Sequence, residues 1–363
     1  MITSLYVHIP FCNNICSYCD FPKVFSNSFN QKEYIDVLLY ELETLNIKNK
    51  LKTIYIGGGT PSALKVEELE RLLKTLSKLL DTNYEFTLEA NPESLDLDKI
   101  KVLKKYKVNR VSLGVQSTSS SKKKILERKH SNLEVINVVK NLKDNGIENI
   151  NLDFIFGIRN DSINKIRKDI KLIKKLNVPH ASFYSLQIES GTKLYNQKQT
   201  TCSEEKLEKL YFYINSKLKK IGFNHYEVSN WAKENYYSKH NLVYWNDLEY
   251  YALGLGASSY IENKRYTNTK SMTSYMKREF NSSVEELDLL DQEFEFIMLG
   301  LRKLEGINLK EFKSRFNKDF IDAYKNKIEK LKSYLNINLE YVAVKEEYIY
   351  TLNLILVELL NFK

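Results

Sequence analysis

Apolar residues recur along this chain in short runs separated by longer amphipathic stretches. The runs Leu5 to Ile9, Thr53 to Ile56, Glu85 to Glu89, Arg110 to Val115, Asn151 to Phe156 and Ala181 to Leu186 read as buried strands. Between them, near 31–47, 65–80, 96–106, 132–145 and 161–176, apolar positions fall three and four apart, as Ile35, Leu38, Leu42 and Leu45 do. That spacing predicts helices with one face buried. Repeated strand-helix units bury their strands in a parallel sheet, as a complete or partial barrel or an open doubly wound sheet, so the fold class is α/β.

The rhythm changes after about residue 202. A helix near 203–221 leads into aromatic segments, Asn224 to Trp231 and His240 to Trp245, and a glycine-spaced run, Ala252 to Tyr260, that read as added strands and loops. Gly254 and Gly256 in that run mark close backbone packing or a turn. From about 285 helical patterns return (292–304, 309–316, 320–335), then strand-like Tyr341 to Val344 and a final apolar helix. The expected division is 1–202 for the strand-helix repeat, 203–282 for its extension and 283–363 for a small, mainly helical domain. Asn281-Ser282-Ser283 reads as the linker.

The strand ends carry the unusual residues. After the first comes C-x3-C-x2-C, Cys12, Cys16 and Cys19; after the second, Gly57-Gly58-Gly59-Thr60-Pro61; at the third, Glu89-Ala90-Asn91-Pro92; after the fourth, Gln116-Ser117; in the fifth, Asp153. Parallel α/β folds gather ligands at that edge, so the five point to one site. Three close thiolates can hold three irons of a [4Fe-4S] cubane and leave the fourth iron open. Zinc, with His8 completing the set, and plain structural cysteines are the alternatives; a disulfide would strand one thiol. The glycines have neither the Lys-Ser/Thr of a P-loop nor the G-x-G-x-x-G spacing. They either let backbone meet the ammonium and carboxylate of an amino-acid moiety, or form a tight turn.

Bulk composition narrows the classes. The 363 residues carry 55 Lys and Arg against 46 Asp and Glu, net +9, but the lysines lie scattered along helix faces, which argues against specific nucleic-acid binding. Loose attraction to an anionic membrane surface or an acidic partner stays open. Four cysteines, three of them clustered rather than paired and Cys202 alone, suit a reducing compartment. With Met1 only five residues before Tyr6 and no apolar run near twenty residues, the expectation is a cytoplasmic protein with no leader and no transmembrane segment.

The cysteine triad preceded by Tyr-Val-His-Ile-Pro-Phe, the Gly-Gly-Gly-Thr-Pro block, Glu-Ala-Asn-Pro and Ser-Leu-Gly-Val-Gln-Ser together resemble the radical S-adenosylmethionine (SAM) superfamily. Within it they are similar to the oxygen-independent coproporphyrinogen III oxidase family, over nearly the whole chain. The resemblance implies a partial (β/α)6 barrel with a C-terminal helical domain. It also implies a [4Fe-4S] cluster on Cys12, Cys16 and Cys19, and SAM chelated to the open iron for cleavage to a 5'-deoxyadenosyl radical. Carried over position by position, Tyr6 and Tyr18 would flank SAM, and Gly58, Gly59 and Thr60 would line its methionine end. Glu89, Gln116, Arg128 and Asp153 would complete the pocket.

Two departures bear on activity. The oxidases continue the motif to a fourth cysteine where this chain has Phe21, and they carry some fifty residues before the cluster where this chain has eleven before Cys12. Both put oxidative decarboxylation of coproporphyrinogen, the alternative function, in doubt. They match instead the haem-chaperone branch of the family, marked by H-N-x-x-Y-W. Here that motif is His240-Asn241-Leu242-Val243-Tyr244-Trp245. By that resemblance His240 would ligate haem iron, with Asn241, Tyr244 and Trp245 beside the porphyrin. The implied partners are haem as cargo, haem-accepting proteins, an electron donor and a second copy of the chain as a homodimer. His8, His130, His180 and His225 are expected to be structural and Cys202 a passive thiol. An RNA-modifying radical enzyme would need an RNA-binding module or further cysteines, and neither is present.

Overall fold

The computed structural model describes residues 1–360, in which six consecutive strand-helix units build one continuous sheet. The strands are β1 Ser4–Ile9, β2 Leu51–Gly58, β3 Leu80–Ala90, β4 Arg110–Gln116, β5 Asn149–Phe156 and β6 His180–Ser185. Each pairs in parallel with the next. The helices between them are α1 Gln31–Thr44, α2 Val66–Leu76, α3 Leu97–Lys105, the short α4 Ser120–Ile125, α5 Asn132–Asp144 and α6 Ile163–Leu176. Their starts are set locally: Asn30, Asp96, Ser131 and Ser162 cap α1, α3, α5 and α6 with side-chain oxygens, and Ser131 with Glu134 forms a full capping box.

Segment 203–282 extends this sheet at both edges. After α7 Glu204–Lys219, strands β7 Asn224–Glu227 and β8 Asn230–Ala232 continue antiparallel from β6. β9 Tyr251–Leu253 pairs in parallel with β1 at the opposite edge. The order is β9-β1-β2-β3-β4-β5-β6-β8-β7, a partial barrel with its seam between β9 and β7. The H-N-x-x-Y-W segment, expected as strand or loop, is instead the helix α8 Lys239–Trp245. Ser238 caps it, and the Glu85 carboxylate on β3 accepts from the main-chain N–H of Lys239 and His240.

A second correction concerns Asn281-Ser282-Ser283. These residues are no linker but the start of β12 Asn281–Glu286, which pairs with β11 Lys264–Asn268, itself paired with β10 Ser258–Ile261. Every residue of β12 is exposed, so no hydrophobic alternation marks it as a strand. The C-terminal part holds α9 Leu289–Gly300 and α10 Leu309–Phe316 around a small antiparallel sheet of Ile307–Asn308, Leu335–Ile337 and Tyr341–Val344, with α11 Leu352–Leu360 packed behind. The 320–335 helix is broken into Phe320–Ala323 and Lys325–Leu331. Among the described residues no helix is long and apolar enough to cross a membrane.

Alternate strand residues decide what lines the barrel. Leu5 and Val7, Ile54 and Ile56, Phe86 and Leu88, Val111 and Leu113, and Leu152 and Phe154 pack outward into the core beneath the helices. The intervening residues face the lumen, and they are polar: Tyr6, Tyr55, Glu89, Ser112, Asp153 and Tyr184 among them. A barrel filled for stability alone carries layers of branched apolar side chains. This lumen does not, and Tyr184 inside it keeps 42% of its surface accessible, so the space is open to solvent.

Candidate functional site

The cysteine loop lies at the C-terminal edge of β1. His8 at the end of β1 accepts or donates at both ring nitrogens, to Tyr6 Oη at 3.1 Å and to the Pro22 carbonyl at 2.8 Å, which clamps the far end of the loop to the strand. Burial lowers its pKa to about 4, so the ring is neutral, and it serves the loop's shape rather than a zinc shell. Cys12 is buried and Cys16 and Cys19 are half-buried; all four cysteines are free thiols. Among the described residues no three Cys, His, Asp or Glu side chains converge on one metal ion. Three thiols on one loop still fit a cubane, whose irons each need one thiolate.

The glycines are required by what surrounds them. A Cβ on Gly57 would sit 3.0 Å from the Glu89 carboxylate, and one on Gly58, whose φ is 112°, would lie 2.5 Å from the His8 ring. A Cβ on Gly59 would meet the Pro10 main chain at 2.7 Å and Cys12 Sγ at 3.0 Å. The second strand thus turns in direct contact with the cysteine loop, which only residues without side chains allow.

One hydrogen-bond chain ties the separate motifs together. Arg128, whose side chain is 3% exposed, donates from Nη1 to Cys16 Sγ at 3.3 Å and from Nη2 to Asn91 Oδ1 and the Gly114 carbonyl, both at 2.7 Å. Asn91 Nδ2 donates to Thr60 Oγ1 at 3.1 Å, and the Thr60 hydroxyl faces Cys12 Sγ at 3.6 Å. Two of the three cysteines are therefore anchored through motifs on β2, β3 and β4. Burial drives the Cys12 thiol up to about 11 against the Thr60 hydrogen bond, so without iron it stays protonated.

Deeper in the lumen, Glu89 accepts from Tyr55 Oη at 2.7 Å and the Gly58 main-chain N at 3.1 Å. Burial, with Asp153 adding repulsion, raises it to about 7 despite those bonds. Asp153 accepts from Ser112 Oγ at 2.7 Å and Asn151 Nδ2 at 2.8 Å and is also raised by burial. Gln116 sits at φ 60° beside a register shift, and its carboxamide makes no hydrogen bond among the described residues. A non-glycine residue in the left-handed region with a free amide at a strand end is suited to meeting a ligand. Tyr18 lies over a separate apolar cluster, with Leu126, Ile155, Ile158, Leu186 and Leu194, at the same edge.

The raised Glu89 sets a pH test. Its folded pKa exceeds that of the unfolded chain, so its contribution favours folding at low pH and is lost as pH rises through about 7. Glu89→Gln is expected to raise the melting temperature of the ligand-free protein at about pH 8 and to lose that advantage towards about pH 5. Equal shifts at both pH values, followed by circular dichroism, would exclude an ionised Glu89 as the cause.

The histidine of α8 enters the lumen from the other end. His240 is 1% exposed, with Nδ1 2.8 Å from Thr53 Oγ1 and Nε2 2.8 Å from Tyr244 Oη. Its ring stacks on Tyr55, centroids 5.2 Å apart at 27°, and Tyr55 stacks in turn on Tyr6 at 6.2 Å. Burial and Arg110 lower its pKa to about 3, so it is neutral. Trp245 lies under the Arg302 guanidinium at 5.5 Å, and Asn241 and Trp245 are half-buried. The expected haem-side residues are thus gathered on one helix, but both nitrogens of His240 are engaged.

Sequence reasoning missed Thr53, Tyr55, Asn91 and Arg110. The first two are unremarkable strand residues until α8 is placed on them. Asn91 was visible only as part of a motif. Arg110, 2% exposed, makes no side-chain hydrogen bond or ion pair among the described residues, and Glu85 and Asp153 balance its charge at longer range. The other histidines are structural: His130 bonds the Val115 carbonyl, His180 joins Asn151 to Tyr226, and His225 stacks on Trp231 at 4.5 Å. Cys202 Sγ donates to the Ile158 carbonyl.

Comparison with known proteins identifies the family and the fold. Residues 6–173 match the Radical SAM superfamily and residues 287–346 the HemN C-terminal domain. The chain is 40% identical to the Heme chaperone HemW of Lactococcus lactis, covering 90% of this chain and 89% of that protein. It is 36% identical to the Heme chaperone HemW of Bacillus subtilis, covering 87% of each. The coproporphyrinogen III oxidase HemN from Escherichia coli shares the fold, with a TM-score of 0.86 at 18% identity over 98% of this chain and 89% of that one. A radical SAM barrel that keeps its cysteine loop, glycine turn and HemN-type C-terminal domain, and that matches those chaperones over nine-tenths of its length, belongs to the radical SAM superfamily and, within it, to the HemW family.

Proposed function

We propose that this protein is a haem chaperone that holds a [4Fe-4S] cluster and SAM at the C-terminal edge of the barrel and carries haem through the H-N-x-x-Y-W helix to acceptor proteins. The observation that carries the reading is that His240 and the SAM-type pocket share one lumen. Its ring lies on Tyr55, whose hydroxyl holds Glu89. Cys12, Cys16 and Cys19 would hold the cluster. When bound, it supplies an iron that SAM can chelate and an electron for SAM. Around it Gly58, Gly59 and Thr60 would meet the methionine end, with Tyr6, Tyr18, Glu89, Gln116, Arg128 and Asp153 completing the pocket. Anchoring of Cys16 and Cys12 by Arg128 and Thr60 supports that assignment.

The same reading divides the chain at about 202 and 282 and places the protein in the cytoplasm. Its partners would be an electron donor for the cluster, haem-requiring acceptors, a second copy of the chain and, in part, the membrane surface. Titrating anaerobically reconstituted protein with haem, with and without SAM, tests it. A Soret band that appears with the wild type and is lost in His240→Ala is expected. Conversion of coproporphyrinogen to vinyl products by reduced protein would overturn it in favour of the oxidase.

A further inference from the structure

His240 is fixed on every side before any iron arrives. Its main-chain N–H is held by Glu85, its ring face by Tyr55, Nδ1 by Thr53 Oγ1 and Nε2 by Tyr244 Oη. A neutral imidazole has one N–H and one lone pair, so one of its two partners must donate to it and the other accept. A phenol is the stronger acid of the two hydroxyls and the better donor. The favoured arrangement has Tyr244 donating into Nε2 and Nδ1–H donating to Thr53 Oγ1. Neither hydroxyl has another hydrogen-bond partner among the described residues.

In that tautomer the lone pair an iron would take is on Nε2, and Tyr244 occupies it. We propose that Tyr244 is a placeholder for haem iron, and that Thr53 is a positioning residue that keeps Nε2 the ligand atom. This rests on the haem-carrier reading above. On loading, the Tyr244 to Nε2 hydrogen bond is exchanged for an iron to nitrogen bond; the phenol keeps its proton and nothing is oxidised. The Thr53 bond persists and orients the ring, as the partners of metal-bound histidines do. The spacing suits the exchange, since residues four apart on a helix face each other and Tyr244 lies one turn beyond His240. Tyr244 keeps part of its surface accessible while His240 does not, and its hydroxyl covers Nε2.

The test is haem titration of the full-length protein followed at the Soret band, with resonance Raman of the ferrous complex. Tyr244→Phe removes the competing hydrogen bond and should tighten haem binding about three- to tenfold. Thr53→Val should weaken it about tenfold and shift the iron-histidine stretching frequency, with Thr53→Ser restoring both. Unchanged or weaker binding in Tyr244→Phe, or a normal spectrum and affinity in Thr53→Val, would overturn the proposal. If Thr53→Val does not fold, Tyr244→Phe decides alone. Binding that survives His240→Ala would instead overturn ligation by His240, a failure distinct from that of the placeholder.

Discussion

Arg128→Met should leave the protein unable to retain a cluster and less stable by about 3–5 kcal/mol, because two buried acceptors lose their donor at once. The Asn91 Oδ1 and the Gly114 carbonyl both depend on Nη2 of this one guanidinium, and Nη1 reaches Cys16. Loss of Arg128 also leaves Glu93, 3.8 Å from Nη2, without its arginine partner. Arg128→Lys should fall between, since an ammonium keeps the charge but not the planar fork that serves three partners in different directions. Denaturant unfolding of the cluster-free protein and iron content after anaerobic reconstitution measure the two effects separately. Wild-type stability together with full iron loading in the methionine variant would refute the anchoring role.

The second large effect is all or none. Alanine at Cys12, Cys16 or Cys19, one at a time, is expected to abolish the brown absorbance and the bound iron and sulfide, since a cubane held by three thiolates loses a third of its protein ligands with each removal. Cys202→Ala should load normally, because its sulfur lies outside the C-x3-C-x2-C loop and is committed to the Ile158 carbonyl. In the cluster-free wild type, alkylation of Cys12 should be slow at neutral pH and accelerate only as pH nears about 11. A full cluster in any of the three variants, or its loss in Cys202→Ala, would sink the assignment.

The features legible in the chain are those set over short distances. Strand and helix alternation through β6 follows from periodicity, and the cysteine spacing and glycine triplet sit at turns that neighbouring residues define. Two local readings failed for opposite reasons. Asn281-Ser282-Ser283 looked like a linker because a strand exposed on both faces has no apolar alternation, and only pairing with β11 makes it one. His240 to Trp245 looked like strand or loop from its aromatic content, whereas the Glu85 carboxylate, far away in sequence, caps it as a helix.

By itself, then, the sequence determined a parallel α/β sheet with a three-thiol loop at its C-terminal edge, and the motif around His240; that the sheet curls into a partial barrel was implied only by the family resemblance. Which atoms meet was decided only by the tertiary structure. Thr53 is 187 residues from His240, Cys16 is 112 from Arg128 and Tyr55 is 34 from Glu89. Such contacts depend on strand register and on how far the barrel closes, because a one-residue slip in register would turn every lumen-facing side chain into the outer core. No local pattern carries that information.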